Sequence, residues 1–207
     1  TRRLDNLTWR DNLVSGGENH LWLVSSSDFA GDHRRYRRDL QGFLAECRHR
    51  QPLLEGLRLA YIGVPPVFAR DLHRFVEQHG ARVVFNEVQR QFAMPRPGSS
   101  LAEQYSNYTY PYSIFDRIKD IRPELRRRRA DGVIHYVQAF CHRAIGDIIF
   151  RGQLDLPMIT LEGNADYVLT PHLRTKVEAF LDMIGRSRRL VQEAGDSVQG
   201  RGYGFSS

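Results

Sequence analysis

Cysteine is scarce: Cys47 and Cys141 are the only two in 207 residues. That is too few for a disulfide framework, so packing has to hold the fold, and such usage fits a reducing, cytoplasmic interior. No apolar run approaches the roughly 20 residues that cross a membrane. The opening Thr1-Arg2-Arg3-Leu4-Asp5 contains no signal-peptide core. A soluble chain with no membrane partner is therefore expected, and its start on Thr rather than Met suggests a portion of a longer protein. Neither G-x-G-x-x-G nor G-x-x-x-x-G-K-S/T occurs, which removes dinucleotide-fingerprint and P-loop readings. No CxxC, HExxH or Cys/His cluster occurs, so a complete metal site cannot be assembled from this chain. Lysine is nearly missing too: Lys119 and Lys176 leave 28 arginines among the 30 basic residues. So lopsided a ratio reads as composition bias rather than selection for phosphate contacts. The net charge of +6 is spread over scattered runs such as Arg34-Arg35, Arg37-Arg38, Arg126–Arg129 and Arg188-Arg189. Without interleaved aromatics these runs read as solvated helix faces, not a nucleic-acid groove. An anionic small molecule remains open as a ligand.

What is present is an ordinary globular balance, 41% apolar and 26% charged. Residues 1–33 lack a sustained period and read as an irregular or short-helical lead-in. Tyr36, Leu40, Phe43, Leu44 and Cys47 fall on one face of a helix that Pro52 closes. Beyond it, apolar strand-like runs at 57–64, 81–86, 132–138 and 157–161 alternate with helical stripes. One stripe is Phe68, Leu72, Phe75 and Val76, closed by Gly80. Another begins at Ile114, Phe115, Ile118 and Ile121 and is interrupted or restarted at Pro123; residues 141–151 read as a further helix. The last opens at Thr170-Pro171, buries Val177, Phe180, Leu181 and Ile184, and ends at Gly185. Residues 94–112 read as irregular.

Continuous apolar strands separated by helices predict an α/β fold, a four-stranded parallel sheet with helices on both faces, flavodoxin-like or Rossmann-like. The organisation expected is a lead-in with its helix at 1–55, an α/β domain at 56–190, and a flexible or docking tail at 191–207. In such sheets chemistry gathers at the carboxyl ends of the strands, here the segments 64–67, 86–92, 138–142 and 162–166. Glu87 and Arg90 are open between orienting a substrate and forming a surface ion pair, and Glu162 with Asp166 between a site and a turn. Cys141 follows the third strand by three residues and is expected to start a helix, whose dipole would favour the thiolate that ligates metals or attacks electrophiles. Against this stands a buried small hydrophobe, the reading that fits Cys47 on its apolar stripe.

The ordered strings RLAYIGVPP, VVFNEVQRQFAMP, YTYPY, RIKDI, DGVIHYVQAFCHRAIGDII, LPMITLEGN and RTKVEAFLDMI resemble the carboxyl-terminal half of a 2-hydroxyacyl-CoA dehydratase or benzoyl-CoA reductase family subunit. The resemblance runs from about residue 4 to residue 185. It implies cytoplasmic, anaerobic enzyme subunits that pair as heterodimers and act on acyl-CoA thioesters. It also implies low-potential one-electron chemistry, through a ketyl radical in the dehydratase branch, fed by an ATP-dependent activator protein. Each such subunit typically carries a 4Fe–4S cluster held by cysteines from its two halves. Cys141 matches the family cysteine after the D-G-V-I strand and is carried over as a cluster ligand. The remaining ligands belong to an amino-terminal half that this sequence does not contain, and Cys47 does not match them. A cluster is therefore expected in the complete subunit and not in this chain alone, which on its own is expected to be inactive. The alternative is a cluster-less structural or binding subunit of the same fold.

Overall fold

The computed structural model describes residues 1–53, 55–108 and 113–199, with the side chains of residue 192 and of 194–199 excluded. The lead-in is helical. Helix α1 (Arg2–Trp9) is followed by α2 (Gly16–Ser25), which opens on a capping box. In it the Ser15 hydroxyl accepts from the Glu18 N–H while the Glu18 carboxylate accepts from the Ser15 N–H. Helix α3 (His33–Glu46) starts at Asp32, whose carboxylate accepts from the Arg34 and Arg35 amides. A 3₁₀ turn, Cys47–His49, completes it. The apolar faces of these helices meet in a small core of Leu4, Leu7, Val14, Leu23, Leu40 and Cys47, so the α3 stripe is oriented as its spacing predicts.

The sheet consists of β1 (Leu57–Gly63), β2 (Ala81–Asn86), β3 (Gly132–Gln138) and β4 (Met158–Gly163), all parallel, in the order β2-β1-β3-β4. The four expected runs are these strands, displaced by two residues at most. Between them lie α4 (Leu72–Gln78), then α5 (Glu87–Phe92), α6 (Leu101–Ser106) and α7 (Ile114–Arg127). After β3 comes a 3₁₀ turn (His142–Ile145) and α8 (Gly146–Gln153), and after β4 the long α9 (Pro171–Gln199). Alternate strand residues feed two cores. Leu59, Tyr61, Val83, Ile134, Tyr136 and Leu161 pack under α4 and α9; Ala60, Ile62, Phe85 and Val133 pack under α7 and α8. Each fully buried Leu, Ile or Phe contributes roughly 1.5–3 kcal/mol relative to exposure, so these two layers supply most of the driving force. Helices α1 and α2 lie against β2 and cover the edge of the sheet there.

Several local expectations are corrected. Gly185 does not end α9. Its φ is ordinary and no atom lies within 4 Å of a notional Cβ, so it costs only about 1 kcal/mol as a helical glycine, less than the turns beyond it return. Gly80, by contrast, does close α4, with φ +73. Residues 191–199, expected to fray or dock, continue α9, and 200–207 lie outside the described residues. Pro123 neither stops nor restarts α7: Ile118, Ile121 and Leu125 are buried on both sides of it, outweighing the roughly 3 kcal/mol a helical proline costs. Phe68 lies in the turn before α4, not on its stripe. The stretch 94–112 contains α6, and of its tyrosines Tyr110 and Tyr112 lie outside the described residues. The helix expected over 141–151 begins as an α-helix only at Gly146. Among the described residues no helix is long and apolar enough to cross a membrane.

Candidate functional site at the carboxyl ends of the strands

Strand β1 leads to β2 on one side while β3 lies on the other, so the chain diverges where β1 and β3 end, the position at which open α/β sheets place a binding crevice. Its floor is tightly packed. Gly63 has φ +102, and a Cβ on it would sit 2.1 Å from the Tyr136 carbonyl oxygen. A Cβ on Gly163 would sit 1.9 Å from the Tyr136 hydroxyl. Only glycine lets the three strand ends approach this closely. Tyr61 stacks on Tyr136 with ring centroids 6.2 Å apart and donates to the Val64 carbonyl at 2.5 Å, fixing the Val64-Pro65-Pro66 exit. Burial pushes the Tyr61 phenol well above its ordinary ionisation range, so it is a neutral donor.

The exit of β2 is neither a substrate-orienting loop nor a surface ion pair. Residues 87–92 are α5, and its polar side chains point inward. Arg117 of α7 donates to both carboxylate oxygens of Glu87, at 2.8 and 2.7 Å, with both residues at most 5% exposed. Glu87 also accepts from the Gly63 amide at 3.1 Å, tying the β1 exit to α5 and α7. Arg90 donates to both oxygens of Asp120 at 3.1 Å, and Gln91 reaches the same carboxylate at 2.9 Å. Arg128, taken from sequence as part of a solvated run, is fully buried. It donates to Glu124, to the Val84 carbonyl and to both oxygens of Asp5. Burial opposes its charge, but the bonds to Asp5 and Glu124 prevail and raise its pKa. Charges of this kind are retained inside a protein only when they are paired and fully hydrogen-bonded.

Cys141 stands on a turn rather than at an α-helix. The Cys141 amide donates to the Gln138 carbonyl at 3.0 Å, and its own carbonyl accepts from Ala144, starting the 3₁₀ turn. Phe140 takes the left-handed conformation, φ +62, rare for a bulky residue, and is fully exposed. Ile145 and Ile148 nearby are 72% and 77% exposed. The thiol is thus partly accessible, on a strained turn, within a short stretch of uncovered apolar side chains. The α-helix that follows starts at Gly146, four residues too late for Cys141 to cap it, so no α-helix dipole acts on the thiol. Cys47 is fully buried in the lead-in core, where desolvation raises its thiol pKa. Glu162 and Asp166 are exposed and make no ion pair among the described residues.

Two features lay beyond sequence reasoning. Beneath the β3 exit, His135 binds Asp147 through Nδ1 at 2.7 Å, and Asp147 also accepts from Thr160 and Arg151. Burial lowers the pKa of His135, which is 2% exposed and, through Asp147, ties α8 to the sheet. Beside the β1 exit, a cavity of about 560 Å³ is bounded by Pro65, Pro66 and Val67 and by His20 and His73. The two imidazoles lie 4.9 Å apart, and His73 Nε2 is 3.0 Å from Asn86 Oδ1. Desolvation takes His20 to about 3 and His73 to about 4, so both are neutral near pH 7. No spacing rule points to them, because their meeting depends on α2 crossing α4.

Among the described residues no group of three or more His, Cys, Asp or Glu side chains could hold a metal ion. A 4Fe–4S cluster calls for several thiolates at one place, and here Cys47 and Cys141 belong to separate parts of the fold. This chain does not fit such a cluster by itself. It offers one thiol. A search of curated proteins returns no match. A family model for the 2-hydroxyglutaryl-CoA dehydratase D-component matches residues 1–184.

Proposed function

The chain belongs to the 2-hydroxyglutaryl-CoA dehydratase D-component family, and from that premise we propose that it is the thiol-bearing carboxyl-terminal portion of a 2-hydroxyacyl-CoA dehydratase or benzoyl-CoA reductase type subunit. In this reading Cys141 is the single ligand the chain contributes to a 4Fe–4S cluster, with the other thiolates coming from outside these 207 residues. The observation that supports it is the Cys141 turn: a partly accessible thiol beside a fully uncovered Phe140 and the exposed Ile145 and Ile148. A bulky residue held at φ +62 with its ring in water gains nothing in the isolated chain. It gains when a second surface covers it, as the missing half of a cluster site would.

The residues in hand have defined parts in this reading. Gly63, Gly163 and the Tyr61–Tyr136 stack form a rigid floor, and the Glu87–Arg117 pair fixes the β1 exit above it. Acyl-CoA thioester chemistry by low-potential one-electron transfer, a paired subunit and an ATP-dependent activator belong to the assembled enzyme. The test is iron and acid-labile sulfide in the anaerobically purified complete complex. Cys141→Ser should lose the cluster while Cys47→Ala keeps it. Full iron in the Cys141→Ser complex would instead favour a cluster-less structural subunit.

A further inference from the structure

At the opposite end of the sheet, Arg58 of β1 and Arg82 of β2 are register partners in adjacent parallel strands. Like charges placed side by side across a strand pair are destabilising, yet neither guanidinium is neutralised by an ion pair among the described residues. Arg58 Nε donates to the Arg128 carbonyl at 2.7 Å and its Nη2 to the Trp9 carbonyl at 2.6 Å. Arg82 is 7% exposed; its Nη1 donates to the Thr8 carbonyl at 3.2 Å, and its Nε is buried with no partner. Both side chains line a cavity of about 540 Å³, within the range of small-molecule sites, together with Arg10, Arg129 and Arg188. Two carboxylates share the wall. Asp131 is engaged by Arg188 at 3.3 Å and by the Arg58 amide at 2.7 Å, which leaves Glu55 to face the remaining cations. Arg129 forms no ion pair among the described residues, and Arg10 only a 3.8 Å contact with Asp11.

We propose that this arginine-lined cavity at the amino-terminal end of the sheet is a binding site for a diphosphate group, free or carried by a nucleotide. Backbone carbonyls position the guanidiniums without cancelling their charge, so the forks are preorganised for a multivalent oxyanion that accepts several N–H bonds at once. Desolvation and the nearby Arg58 hold Arg82 down at about 10, against the smaller opposing pull of Glu55 and Glu77. A single carboxylate or chloride leaves most of the charge uncompensated, whereas a diphosphate meets Arg58, Arg82 and Arg129 together. The site lies at the other end of the strands from Cys141, and its assignment is independent of the cluster reading.

The test uses the full 207-residue chain, with thermal unfolding and titration calorimetry in pyrophosphate, ADP, orthophosphate and sodium chloride at matched ionic strength. Pyrophosphate should raise the midpoint of unfolding where chloride does not, and its binding should weaken as salt is added. Affinity for ADP above that for pyrophosphate assigns a nucleotide, and equal affinity assigns the diphosphate alone. Arg82→Gln should bind at least tenfold more weakly and unfold, without ligand, no lower than the native chain, because it removes an uncompensated charge. Arg129→Gln, at the exposed rim, should weaken binding several-fold with the midpoint unchanged. Pyrophosphate no better than chloride, or native affinity in both variants, overturns the site, as does Arg82→Gln losing stability in ligand-free buffer.

Discussion

Arg117 and Glu87 meet through two parallel hydrogen bonds of 2.8 and 2.7 Å in a place from which water is almost excluded. The pair joins α7 to α5, and the Glu87 contact to the Gly63 amide carries it on to the end of β1. Replacing Arg117 by Leu strands a buried carboxylate, and the expected loss is about 3–5 kcal/mol, a large share of a typical domain's stability. Urea unfolding of Arg117→Leu measures it. A loss below about 1 kcal/mol would mean that Glu87 finds water or another partner.

The two cysteines should react oppositely. Under anaerobic alkylation with peptide mapping, Cys141 should label quickly in the native chain and Cys47 only on unfolding, because one is partly accessible and the other fully enclosed. Cys47→Ala should cost about 1 kcal/mol or somewhat more, for a small group removed from a packed core. Rapid labelling of Cys47 would show that the lead-in helices open locally.

Glycines separate by site. Gly63→Ala has to displace the Tyr136 backbone at a left-handed φ, and a loss of several kcal/mol or failure to fold is expected. Gly185→Ala meets nothing within 4 Å and should stabilise by up to about 1 kcal/mol. Denaturation midpoints of the two variants compare them directly.

Acid should destabilise the protein through His73. Its pKa is about 4 in the fold, below the ordinary 6.5, so the unfolded state binds the extra proton between those values. The stability that neutral His73 contributes is complete above pH 6.5 and is lost as pH falls towards 4. The loss approaches about 3 kcal/mol over that window, and His20 adds to it in the same direction. Urea midpoints from pH 7 to pH 4.5 should fall in the native chain and fall less steeply in His73→Gln. Parallel profiles would place the acid sensitivity elsewhere.

The strands were legible because a buried parallel strand is an apolar run, and four such runs are unmistakable between 57 and 161. Polarity was the weaker guide. Asn86-Glu87-Val88-Gln89-Arg90-Gln91 reads as an exposed loop, yet it is a buried helix, because the partners that neutralise it lie on α7, about 30 residues further along. Arg128 deceives in the same way. Its run of four arginines has the composition of a solvated face, and only the fold brings Asp5 to it. Cys141 stands out in the sequence because it follows a strand, but no sequence signal reveals Phe140 in a left-handed turn beside it. His20 and His73 were unreadable, since their proximity depends on two helices crossing.

The bond from Asp5 to Arg128 spans 123 residues and secures α1 over the edge of β2. Closing a loop of that length costs about 4 kcal/mol of chain entropy before any contact repays it. During synthesis α1 therefore emerges well before the cation that holds it, which lies 123 residues further along. Helix α1 is a latch over the edge strand β2, and until it closes that edge is open to pairing with a neighbouring nascent chain.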